Sequence, residues 1–244
     1  MTDIKETEQL VDLENNGLVL LQDKARFCFG MDAVLLSGFA QAKRGDRVLD
    51  MGTGTGILPI LMSAKTEAAE LVGLELQPES ADMAERSARL NHLEERVSIV
   101  TGDLCRASEL FGKSSFDVVV SNPPYMTEGH GIVNPAEAKM IARHELFCTF
   151  SDVAREAAAV LKPGGHFYLV HRPFRLSELM VTLTEYKLEP KRMRLVYPFV
   201  DREPNMVLLE CVRGGKARLT VEKPLIIWDK PGIYTEEVRE KYGF

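Results

Sequence analysis

Short apolar, β-branched runs alternate along this chain with longer stretches whose apolar residues recur at helical spacing. Arg47–Asp50 predicts a first strand, followed by a glycine loop and a helix over Ile57–Lys65. Leu71–Leu76 predicts a second strand, and Pro78 opens a helix that continues over Glu79–Asn91. Val97–Val100 and Phe116–Val120 predict the third and fourth strands. An amphipathic helix over Phe150–Leu161 runs into Lys-Pro-Gly-Gly, a stop signal, before a fifth strand at His166–Val170 and a helix at Leu176–Tyr186. Arg192–Phe199 and Asn205–Val212 then follow each other with no helix between them, which predicts an antiparallel hairpin. Strands alternating with helices make βαβ units with right-handed crossovers, so the fold class is α/β: a mostly parallel sheet closed by a C-terminal antiparallel hairpin. Ligands of such sheets lie beyond the C-terminal strand ends.

Four strand ends carry candidate chemistry. After the first comes Asp50-Met51-Gly52-Thr53-Gly54-Thr55-Gly56. Glycines at spacing two let the backbone turn tightly and a ligand approach closely. The G-x-G-x-G spacing departs from the G-x-G-x-x-G of a pyrophosphate site. An acid beside the loop suits a cofactor bearing an ammonium group, because a carboxylate repels phosphate. After the second strand, Glu75 lies nineteen residues past Gly56, with Leu76 beside it; an acid at that offset accepts hydrogen bonds from a ribose diol. After the third, Asp103 and Leu104 are placed to receive an adenine amino group, Leu104 adding a backbone N–H and an apolar face. The fourth runs into Asn122-Pro123-Pro124-Tyr125. Two prolines stiffen that loop and remove two backbone donors. The Asn122 side-chain oxygen and the Pro123 carbonyl can then accept from a planar –NH₂ substrate, with Tyr125 as a stacking face.

DMGTGTG, Glu75, GDL and NPPY, in this order, resemble the class I S-adenosylmethionine-dependent methyltransferases of the NPPY amino-methylating group. The resemblance spans about residues 17–213 and includes the LKPGG. It implies a Rossmann-like, seven-stranded sheet, S-adenosyl-L-methionine as cofactor, and catalysis by Asn122, Pro123, Pro124 and Tyr125. Phe29 and Gly30 of Phe29-Gly30-Met31-Asp32-Ala33 resemble that group's extra N-terminal motif, lining the methionine end of the cofactor. FGMDAVLLS and Ala142-Arg143-His144-Glu145 resemble, more narrowly, the bacterial enzymes that N6-methylate the adenine beside the anticodon of valine tRNA. Two alternatives stay open. Protein glutamine N5-methyltransferases acting on release factors share NPPY but carry a helical domain before the core. Ribosomal-RNA guanine-N2 methyltransferases usually have a longer or duplicated chain. Nothing in the reaction calls for a strong general base, so His144 is expected to be structural. The expected organisation is one domain, with residues 1–45 lining the cofactor site, 46–213 as core and 214–244 as a tail whose Trp228 and Tyr234 pack.

Composition adds a constraint. The 244 residues are 45% apolar and 27% charged, with net charge −6, which fits a soluble globular enzyme and gives no overall attraction to nucleic acid. The charge is uneven: residues 171–223 hold eleven Lys/Arg against seven Asp/Glu, so they carry four positive charges and the rest of the chain ten negative. Lys191, Arg192, Arg194, Arg213, Lys216 and Arg218 are the basic residues around the hairpin. They are candidates for tRNA phosphates or for the ordinary charge protection of an edge strand. Cys28, Cys105, Cys148 and Cys211 show no CxxC spacing, so no metal site is expected. With a polar N-terminus and no spanning segment, the chain is expected to be cytoplasmic.

Overall fold

The computed structural model describes residues 4–13, 17–23, 29–123 and 148–242. The central sheet is built from β3 (Arg47–Met51), β4 (Glu70–Glu75), β5 (Val97–Thr101), β6 (Phe116–Ser121), β7 (Leu161–His171), β8 (Leu188–Tyr197) and β9 (Met206–Arg213). Their spatial order is β5-β4-β3-β6-β7-β9-β8. The first five are parallel, and β9 enters antiparallel between β7 and β8. Two short strands, β10 (Thr220–Val221) and β11 (Leu225–Ile226), add parallel to β8, so the sheet has nine strands where seven were expected. Val118, Val119 and Val120 of β6 are all buried, as a parallel strand covered on both faces requires.

Helices cover both faces. On one lie α1 (Met31–Phe39), α2 (Ile57–Lys65) and α3 (Pro78–Leu90), joined by α7 (Glu236–Tyr242). On the other lie α4 (Ala107–Phe111), α5 (Phe150–Val160) and α6 (Leu176–Glu185). The α5 N-terminus is closed by a capping box in which Thr149 and Asp152 each satisfy the other's backbone N–H. Tyr242 of α7 fits against Gly38 of α1, where a Cβ would lie 2.3 Å from the ring. Trp228 and Tyr234 stack at 4.2 Å across the small β12 (Trp228–Lys230) and β13 (Ile233–Tyr234) pair. The tail is therefore part of the packed core rather than an appendage.

Two elements differ from expectation. Lys-Pro-Gly-Gly does not separate α5 from β7. The strand begins at Leu161 and passes through it, with an irregularity where Phe116 pairs Leu161 and Val118 pairs His166. A bulge absorbs Pro and Gly, so a helix stop and a strand start coincide. Upstream, β1 (Glu8–Asp12) and β2 (Val19–Asp23) form an antiparallel hairpin that sits on α3. The Asn91 side chain accepts from the Val19 N–H at 2.8 Å and donates to its carbonyl at 2.7 Å. Ser87 accepts from Leu21 at 2.9 Å, and Arg86 holds Glu8 through bonds of 2.7 and 2.5 Å. Among the described residues no helix is long and apolar enough to cross a membrane.

Candidate active site

The chain leaves β3 for β4 and β5 on one side, then returns to β6 and β7 on the other. The switch point therefore lies between β3 and β6, whose ends carry Asp50 and Asn122. Ser121 ties the two ends together: its hydroxyl donates to the Met51 carbonyl at 2.9 Å in a buried position. Asn122 and Pro123, both half-buried, follow directly. Pro124, Tyr125 and His144 lie outside the described residues.

The glycine loop turns through three positive-φ residues, with φ of 84° at Gly52, 57° at Gly54 and 86° at Gly56. These are left-handed conformations that glycine alone adopts without strain. A Cβ on Gly56 would lie 3.0 Å from Ala84 Cβ, so this glycine lets α3 pack against the loop. A Cβ on Gly54 would meet nothing within 4 Å, which leaves open space above the loop. Leu74 fixes the loop's start by accepting from Gly52 and Thr53.

Glu75 does more than its strand-end position suggests. It is 6% exposed. One carboxylate oxygen accepts from the Gly54 N–H and the other from the Gln77 N–H, each at 2.9 Å. The residue expected to face a ribose therefore also locks the glycine loop. Leu76 is exposed beside it. Asp103 caps the turn after β5 by accepting from Cys105 N–H at 2.8 Å, and the Leu104 side chain lies 3.9 Å from where a Gly52 Cβ would be. Phe29 packs on the core, and Gly30 is the residue preceding α1.

Asp50 is the anomaly of the site. It is 1% exposed, and neither carboxylate oxygen has a hydrogen-bond partner among the described residues. Burial pushes its carboxyl up to about 7; the nearby Thr53 hydroxyl opposes this in part, and the Glu75 charge adds to it. A buried acid without a partner costs several kcal/mol unless a cation arrives. It fits an ammonium-bearing ligand lying in the open space over Gly54.

Four of the six hairpin cations have partners within the chain. Arg192 donates to Glu210 at 2.7 Å and Glu222 at 2.6 Å and lies 4.5 Å over the Phe39 ring. Arg194 is buried, bound to Glu237 and the Lys223 carbonyl. Arg213 bonds Ser114 and the Leu161 carbonyl, and Lys191 bonds the Lys216 carbonyl. Arg213 pairs with Leu188, at the sheet edge opposite the glycine loop, and Lys216 and Arg218 follow it there. Lys191, Arg192, Arg194 and Arg213 are bonded within the chain, whereas Lys216 and Arg218 are exposed at the far edge of the sheet, away from the glycine loop.

The fold also brings together what spacing along the chain kept apart. The ligand atoms of Cys105, Cys148 and Asp152 lie within 4.8 Å of one another. Burial pushes both thiols up, and Asp152 spends its oxygens on Thr149 and Arg155. Sequence reasoning missed the exit of β7 as well. His171 is 1% exposed, its Nδ1 accepts from the Arg172 N–H at 2.8 Å, and burial pushes its pKa down to about 4. Beyond it stand Arg172, Phe174 and Arg175. Applying the strand-end rule to the fifth strand would have found them.

The methyltransferase small domain model matches residues 29–186, about two thirds of the chain. The chain belongs to that family. Among curated relatives, the methyltransferase is 29% identical over 216 residues to the tRNA1(Val) (adenine(37)-N6)-methyltransferase of Porphyromonas gingivalis, covering 85% of this chain and 84% of that one. It is 30% identical over 191 residues to the enzyme of the same name from Parabacteroides distasonis, covering 77% and 78%. Among solved structures it is similar to a predicted O-methyltransferase from Agrobacterium tumefaciens, with a TM-score of 0.71 and 25% identity over 87% of this chain and 95% of that one. The Rossmann-like methyltransferase fold expected from the strand-end motifs is thus the one observed.

Proposed function

We propose that this single-domain methyltransferase takes a methyl group from S-adenosyl-L-methionine and places it on N6 of an adenine in tRNA, at position 37 of the valine tRNA for which its relatives are named. The observation that carries the reading is the unpartnered, buried Asp50 beside an open glycine loop, one hydrogen bond away from the Asn122-Pro123 turn.

The residues fit the cofactor. Asp50 meets the ammonium group. Gly52, Gly54 and Gly56, with Met51, leave room above the backbone. Glu75 and Leu76 take the ribose, Asp103 and Leu104 the adenine, and Phe29 and Gly30 close the methionine end. When bound, S-adenosyl-L-methionine supplies an electrophilic methyl on sulfur. The exocyclic nitrogen of adenine is a poor nucleophile, because its lone pair is delocalised into the ring. The Asn122 side-chain oxygen and the Pro123 carbonyl accept its two hydrogens, draw it toward tetrahedral geometry and favour the positive charge that develops on it. Pro124 keeps the turn stiff and Tyr125 stacks the base. The surplus proton leaves to solvent, so His144 has no required role. A base in an anticodon loop costs less to extrude than one in a duplex.

Transfer of radiolabelled methyl to total tRNA, ribosomal RNA and release factor, assayed in parallel, tests the assignment. Label in tRNA, at N6 of adenine by nucleoside analysis, is expected. Label only in release factor or only in ribosomal RNA would replace it with glutamine-N5 or guanine-N2 methylation.

A further inference from the structure

Arg192, Arg194 and Arg213 of the hairpin are bonded within the chain, and the exposed Lys216 and Arg218 stand at the edge of the sheet away from the glycine loop, so a nucleic-acid contact next to the site has to come from other residues. The parallel sheet limits where it can be. Ser121 of β6 pairs with Leu169 of β7, so β7 leaves the sheet at His171 next to the Asn122-Pro123 turn. β9 enters at this same edge, Val207 pairing His171, and the turn between β8 and β9 (198–205) therefore stands beside it. Two exposed apolar side chains lie here: Phe174, 62% exposed, and Val200, 82% exposed. Exposure alone says little, since apolar atoms are common on protein surfaces; what singles out Phe174 is its place beside the site on an anchored turn.

Phe174 is held where it is. It sits in a short 3₁₀ turn, Pro173–Arg175, with arginine on either side. The Arg172 guanidinium donates to the Asn205 carbonyl at 2.9 Å, pinning the β7 exit to the β8–β9 turn. Arg175 holds Glu178 at 2.8 and 2.5 Å. Below, buried His171 fixes the Arg172 backbone and meets Phe150, the first residue of α5, edge-on at 5.9 Å. Arg202 is exposed in the adjoining turn. The result is an exposed aromatic ring on a backbone turn anchored by Arg172, with Arg175 next to it in the chain and Arg202 in the adjoining turn, at the mouth of the proposed site.

We propose that Phe174 is the stacking platform for an unpaired nucleotide adjoining the target adenine. Arg172 acts as its positioning residue, and Arg202 faces the phosphate backbone of the same loop. This rests on the tRNA reading above. An open ring suits a single-stranded RNA loop because every base offers a π-face, while the flanking cations suit its phosphates.

The test uses the full chain with tRNA, and with an anticodon stem-loop carrying 2-aminopurine next to the target adenine. Phe174→Ala should weaken RNA binding and raise KM for tRNA by about 5- to 100-fold, with cofactor affinity unchanged. It should also abolish the fluorescence change of the 2-aminopurine on binding. Phe174→Trp should restore both. Unchanged KM and an unchanged fluorescence response in Phe174→Ala would overturn the platform while leaving tRNA methylation standing. Wild-type protein that labels no tRNA would overturn the underlying reading instead. A Phe174→Ala protein that loses cofactor affinity in step with RNA affinity would show a merely structural residue and also refute the proposal.

Discussion

On the proposed role of Asp50, cofactor capture should be a proton-coupled event. In the ligand-free protein its carboxyl is pushed up to about 7, because burial disfavours the charge, the Thr53 hydroxyl offsets this only in part and the Glu75 charge adds to it. A ligand that presents an ammonium group to it binds the ionised form. Above pH 7 that form is already present, and affinity is flat. Below pH 7 the proton must be expelled, and affinity falls toward a limiting slope of about tenfold per pH unit. Between pH 8 and pH 6 the loss is about tenfold, or about 1.4 kcal/mol. S-adenosylhomocysteine is the right probe, since it keeps the ammonium and ribose and cannot react. Calorimetry in buffers of different ionisation enthalpy counts the protons released: nearly one at pH 6 and almost none at pH 8. Asp50→Asn should flatten the profile and bind weakly throughout. The same substitution should stabilise the ligand-free protein. A carboxyl raised from the ordinary 3.8 binds its proton more tightly folded than unfolded, so stability is lost as pH rises from 3.8 to about 7, at a cost on the order of a few kcal/mol. A proton count near zero at pH 6, or an Asn variant that melts no higher at pH 8, would refute the reasoning.

The glycines of the loop should separate by function. Gly56→Ala pushes a Cβ to 3.0 Å from Ala84 and should lower the melting temperature, whereas Gly54→Ala meets no protein atom and should lose cofactor affinity out of proportion to its strain, about 1–2 kcal/mol. Ser121→Ala removes the hydroxyl bond to the buried Met51 carbonyl; denaturant titration should show a loss of about 0.5–1.5 kcal/mol, with kcat falling more than cofactor affinity. His171 is held neutral by burial, its pKa pushed from the ordinary 6.5 to about 4, so its stabilising effect is complete above pH 6.5 and lost as pH falls toward 4. Unfolding free energies at pH 7 and pH 5 should differ through this group by about 2 kcal/mol, a difference that His171→Asn, which keeps an acceptor for Arg172, should largely remove.

Strand-end chemistry was legible because it follows from a local rule. A buried parallel strand reads as an apolar run, and the ligand lies where the run stops. Asp50, Glu75, Asp103 and Asn122 were all placed at strand ends in this way, and the structure has each of them at or within two residues of one. Pairing across the sheet was not legible. Arg192 looks like a surface charge until Glu210 and Glu222 are brought alongside it, and a segmental charge count cannot separate a bonded guanidinium from a solvated one. The bond by which Glu75 locks the glycine loop was equally hidden, since it exists only once β3 and β4 lie in register. The β1–β2 hairpin carries a short apolar run, Leu18–Leu21, but what fixes its place is the Ser87 and Asn91 side chains of α3, some seventy positions away along the chain. Cys105 and Cys148 meet through the packing of α5, forty-three positions apart along the chain.

The placement of β9 between β7 and β8 has a consequence for biosynthesis. Residues 206–213 are among the last of the sheet to be made, yet they fill an interior slot. Until they emerge from the ribosome, β7 presents an open edge and the apolar side chains facing α6 lack their neighbours. Tyr242, which fills the space left by Gly38 on α1, comes later still. The glycine-loop half of the molecule can form early during translation. The half that would meet the nucleic acid has to wait for nearly the whole chain, and in that interval the nascent protein is most in need of a chaperone.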